Sequence, residues 1–279
     1  MTWALVALLV MVEAPPSLAA HAERIRRIDT EAMERSLAQA GLTLPADIRI
    51  SLIANSDARA QTIDPWIVGL AAGERDIIIF PERVLPYPYD SLESVVRHEV
   101  VHLALNRAAR GAPLPRWFHE GVATSVDSGW DLQARLQLLL AMLGRPDIAD
   151  LTRLFASSSQ SATTQAYLLS ALVVHDVRQR HGAAVPGAIA ARVAAGVTFE
   201  EAFRAETGVG PDAAAAQAWA GYRRWTAWFP AVTGPTAAWA LILLLAFVAF
   251  VVQRRRRVRR RRAWPDDDDP FDTPFGVRS

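Results

Sequence analysis

Cysteine is absent from the 279 residues, which excludes disulfides and also the thiolate-rich closed site that structural zinc usually occupies. Lysine is absent too: all 30 basic residues are arginine, a bias with no functional reading of its own. No internal repeat emerges. Charged residues make up only 21% of the chain against 51% hydrophobic ones, a balance that excludes a disordered protein and leaves apolar material for one substantial core. The net charge of +1 is unevenly placed, because residues 253–279 carry nine Arg and five Asp. Everything before that tail is mildly acidic, so a nucleic-acid partner is not expected.

Both ends read as targeting or membrane sequence. Residues 1–22 are apolar from Trp3 to Val12 and then rich in small residues, the pattern of a secretory signal peptide with cleavage after Ala20 or Ala22. No Arg or Lys precedes the apolar run, which keeps an uncleaved anchor as the alternative. Pro235–Val252 supplies 18 residues without a charge, and at about 1.5 Å per residue such a helix just spans a hydrocarbon core of about 30 Å. Eight arginines between Arg254 and Arg262 follow it and mark the cytoplasmic side. At the lipid boundary these arginines suit topology and anionic lipid better than nucleic acid. The expected organisation is therefore a leader at 1–22, an extracytoplasmic body at 23–230 (periplasmic or cell-surface), one membrane helix at 235–252 and a cytoplasmic tail at 253–279.

Within the body, residues 21–40 predict one helix, with Ile25, Ile28, Met33 and Leu37 at helical spacing and Gly41 as a stop. Ile48, Ile50 and Leu52 alternate with polar residues and predict a half-buried strand; further strands are expected at Trp66–Ala71 and Ile77–Phe80. From Asp90 onward the pattern is helical, and Asp90 with Glu93 suggests a capping box at the start of "SLESVVRHEVVHLALNRAA". A small N-terminal sheet followed by a run of helices predicts an α+β domain.

Three of the six histidines fall within residues 97–123. His98 and His102 are four apart, so a helix brings both imidazoles to one face, where they can converge on one metal ion. Glu99 projects beside such an ion rather than at it, as a base for water would. A third ligand must come from another element, and Glu120 lies on the helix opened by Pro115, after a turn containing Gly111 and Pro113. His119 is about 100° around that helix from Glu120 and reads as exposed or substrate-lining, with replacement of Glu120 as ligand the lesser alternative. Thr124 and Asp127 are both candidates to orient the ligating histidines. Tyr167 either donates its hydroxyl to the reacting oxyanion or simply packs in the core. His175 and His181 lack ligand spacing.

"HEVVH" followed by "PRWFHEGVA" resembles the gluzincin metallopeptidases, and within them the peptidase MA-like domains. The resemblance covers most of Ile48–Trp228 and is sharpest in these two segments. A metzincin pattern fails, because Leu105 and Ala108 stand where it would need Gly and His. What the resemblance implies is a zincin-like fold with Zn²⁺ held by His98, His102 and Glu120, the last being the glutamate of W-x-x-E-G-x-A. It further implies Glu99 as general base, a downstream tyrosine matching Tyr167 at the oxyanion, and a peptide or protein substrate. The expected protein is thus a membrane-tethered zinc metallopeptidase acting outside the cytoplasm. A catalytically inactive module of the same fold, binding a peptide or an envelope partner, is the alternative.

Overall fold

The computed structural model describes residues 9–84, 91–127, 148–157, 159–227, 242–243 and 245–254. The chain divides into two units, Met1–Tyr222 and Arg223–Ser279, and the site lies wholly in the first.

Four strands form one sheet: β1 (Leu9–Glu13), β2 (Asp47–Leu52), β3 (Gly69–Ala72) and β4 (Asp76–Ile79), in the order β1-β2-β4-β3. β1 and β4 both run parallel to β2, and β3 pairs antiparallel to β4 through a turn in which Gly73 takes a positive φ of 64°. The expected alternation holds in β2, where Ile48, Ile50 and Leu52 are all buried. β1 is a strand the sequence did not announce. It comes from the apolar run read as the core of a leader, and Leu18 and Ala22 just beyond it are buried as well.

Two helices, α1 (Ala19–Arg26) and α2 (Thr30–Gln39), replace the single helix expected over residues 21–40. The break falls at Asp29, whose side chain accepts from the Ala32 N–H at 2.9 Å and so caps a fresh helix. After the one-turn α3 (Ala58–Gln61), the central helix α4 (Leu92–Ala108) is buried on several faces. Its N-cap is Ser91, which accepts from the Ser94 N–H at 3.1 Å. Asp90 lies outside the described residues, and Glu93 takes a two-point ion pair from Arg24 instead of closing a capping box.

Further helices among the described residues are α5 (Arg116–Asp127), α6 (Ile148–Ala156), α7 (Gln160–His181), α8 (Val185–Ala194), α9 (Phe199–Thr207) and α10 (Pro211–Ala227). α5 packs against α4 and most extensively against α7. That approach depends on Gly121, where an added Cβ would sit 2.6 Å from the Ser170 carbonyl oxygen and from Val174 Cγ2. Gly121→Ala should therefore lower unfolding stability by about 1–3 kcal/mol, as overpacking typically does. A denaturant midpoint unchanged from the parent would contradict this close contact.

The molecule is mainly helical with a small four-stranded sheet ahead of the main run of helices, and the expected transmembrane helix is the part that is corrected. Among the described residues no helix is long and apolar enough to cross a membrane. Of Pro235–Val252, only residues 242–243 and 245–252 are described, and the rest of the expected span lies outside the described residues.

Candidate metal centre

α4 places His98 and His102 one turn apart on the face toward α5, and α5 brings Glu120 up to meet them. His98 Nε2 lies 3.1 Å from His102 Nε2, and Glu120 Oε2 lies 3.2 Å from the first and 3.4 Å from the second. The two rings stand edge-on, with centroids 4.8 Å apart. Ligands held at about 2.0–2.1 Å around one tetrahedral ion are spaced about 3.3 Å from each other, so this triangle has the dimensions of three corners of such a site. A cation between the three atoms would satisfy lone pairs of both imidazoles and of the carboxylate at once. His98 and Glu120 are buried and His102 nearly so, and the three residues form a group that could hold a metal ion.

Burial alone would raise the Glu120 carboxyl. The charge of His102, together with hydrogen bonds from His102 and His98, outweighs it and holds Glu120 far below the ordinary carboxylate range. Glu99 lies outside the donor triangle and behaves in the opposite way. Its buried carboxyl is pushed up to about 7, chiefly by loss of water; the nearby Glu120 adds to the rise, while His102 and the Ala71 N–H oppose it. β3 is built around this carboxylate: a Cβ at Gly69 would lie 2.6 Å from Glu99 Oε1, so only glycine lets the strand pass.

The triad opens into a cavity of about 780 Å³. One wall is the β3 edge and the segment before it, including Trp66 and Leu70; the other is made by α5, α6 and α7, including Arg116, Phe155 and Tyr167. Tyr167 presents its ring edge-on to His98 at 6.1 Å and to Phe155 at 5.6 Å. His119 also lines the cavity, with its ring 5.5 Å from that of His102, and it is not one of the converging ligands. Burial, and then the charge of His102, depress its pKa to about 4, so it is a neutral imidazole in the site.

Of the residues offered for orienting the ligands, Thr124 is half-buried one turn beyond Glu120, while the side chain of Asp127 lies outside the described residues. His175 is half-buried on α7 and His181 is exposed at its end; neither joins the group.

Sequence reasoning missed Arg116. Its Nε is 3.7 Å from Glu120 Oε1, its Nη1 donates to the Phe155 carbonyl at 3.2 Å, and its guanidinium lies 4.7 Å above the Phe155 ring. The four-residue helical spacing to Glu120 was the available signal.

No protein-family model matches the chain, and no curated protein is significantly similar to it.

Proposed function

We propose that the protein is a zinc-dependent metallopeptidase, as the gluzincin-like pair of motifs suggests. The observation that carries this reading is the position of Glu99. It is buried beside the three converging ligand atoms but not among them, and in the metal-free site loss of water pushes its carboxyl up to about 7. A site kept only to hold a structural ion has no need of such a group. A base that must take a proton and later return it needs a pKa close to working pH.

In this reading His98, His102 and Glu120 hold the ion, which when bound supplies a Lewis acid that polarises the scissile carbonyl and acidifies water. Glu99 takes the proton from the attacking water and delivers it to the departing amine. The Ala71 N–H keeps the Glu99 carboxylate oriented during both transfers. Tyr167, on the wall beside His98, donates its hydroxyl to the carbonyl oxygen as negative charge develops there. The edge of β3 not paired with β4 lines the cavity and suits an extended peptide running along it.

The test is hydrolysis of a mixed peptide library by the full chain, loaded with zinc and then treated with chelator. Cleavage that chelator stops and added zinc restores is the expected result. A folded, zinc-loaded protein that cleaves no peptide would refute the peptidase reading and favour a peptide-binding module of the same architecture.

A further inference from the structure

The two long walls of the cavity differ in chemistry. The β3 side offers backbone, Trp66, Leu70 and the acidic residue Asp64. The α5–α7 side offers Arg116, the only arginine lining the cavity among the described residues, together with the hydroxyl-bearing Ser157, Thr163 and Thr164. Arg116 is 57% exposed at its side chain, yet three contacts hold it: it stacks on the Phe155 ring, donates to the Phe155 carbonyl and pairs with Glu120. An arginine held by these contacts has less rotamer freedom to lose on binding, and it lines the cavity with no acidic partner for Nη2 among the described residues. Fork-shaped N–H groups of this kind match a carboxylate at two points.

We propose that Arg116 is a specificity-determining residue that selects peptides presenting a carboxylate to the α5–α7 wall. The inference rests on the peptidase reading for its substrate class but not for its chemistry. The carboxylate can be an acidic side chain near the cleaved bond or the free C-terminus of a short peptide. Arg116 is the only basic side chain of the lining apart from the histidines among the described residues, so the carboxylate has one place to pair.

The experiment uses the full zinc-loaded chain and matched peptides in two arms, Glu against Gln at each position around the cleaved bond, and C-terminal acid against C-terminal amide. The carboxylate form should be preferred by about 10- to 100-fold in kcat/KM, the range of one charge-assisted pair, and the arm that shows the preference identifies the source. Arg116→Ala should bring that ratio to about 1, and Arg116→Lys should leave it intermediate because the ammonium lacks the fork. Arg116→Glu should reverse it toward peptides with a basic residue in the same place. Equal use of both forms by the parent overturns the proposal, as does a loss on Arg116→Ala that falls equally on both, which would make Arg116 only a partner of Glu120. Binding of the same peptides to zinc-loaded Glu99→Gln reads the discrimination without turnover. Discrimination there in a protein whose parent never cleaves would refute the peptidase and keep this assignment; equal binding, or none, would refute the assignment itself.

Discussion

Glu99→Gln should stabilise the metal-free protein at pH 8 by about 3 kcal/mol while removing about 10²–10⁴-fold of its hydrolytic rate when zinc is restored. The stability gain follows from the carboxyl being raised from 4.5 to about 7 by burial. Between those two values the folded state keeps a proton that the unfolded state has released. Stability contributed by this group is thus complete below pH 4.5, falls as pH rises and is fully lost above about 7. Glutamine resembles the protonated form and can still accept from the Ala71 N–H, so the variant avoids the loss. Denaturant unfolding at pH 4 and pH 8 checks this: the two proteins should match at pH 4 and separate at pH 8. Equal stability at both values would mean that Glu99 is not the buried, destabilising group described.

Removing a ligand has the second large effect. Structural zinc sites gain an apparent 10–16 kcal/mol from four ligands, or about 2.5–4 kcal/mol each, so Glu120→Ala should weaken zinc binding by roughly 100- to 1,000-fold. At free zinc one hundred times the dissociation constant, the parent gains about 2.7 kcal/mol of stability, and the variant at the same concentration should gain about 1 kcal/mol or less. Thermal unfolding with and without zinc reads the difference. His119→Ala is the control, because His119 lines the cavity without joining the converging ligands, and it should keep the zinc-dependent rise. If Glu120→Ala keeps that rise and His119→Ala loses it, the ligand set is wrong.

The donor group was legible because its logic is local. A four-residue spacing fixes His98 and His102 on one helical face, and a Gly-Pro turn can return only a neighbouring helix, which carries Glu120. Other features depend on what the residues meet in space. The run at Leu9–Glu13 is equally apolar as a leader or as a strand, and its parallel pairing with β2 is a contact across 38 residues that periodicity does not encode. Pro235–Val252 met the length and charge criteria for a span, and among the described residues no helix is long and apolar enough to cross a membrane. At Asp29 and Ser91 the chain offered several side chains able to cap, and the choice between them is made by burial of the helices that follow. Arg116 was passed over because an exposed arginine on a helix is ordinary until Phe155 is seen beneath it.

The most direct test of the central claim is a titration of metal-free protein with zinc, reading bound metal and peptide hydrolysis in the same samples. One zinc per chain should bind, and hydrolysis should rise in step with it and level off at that single equivalent, with Glu120→Ala showing neither at the same concentrations. Hydrolysis that is complete before zinc is added, or zinc bound at one equivalent with no hydrolysis of any peptide, would contradict the account.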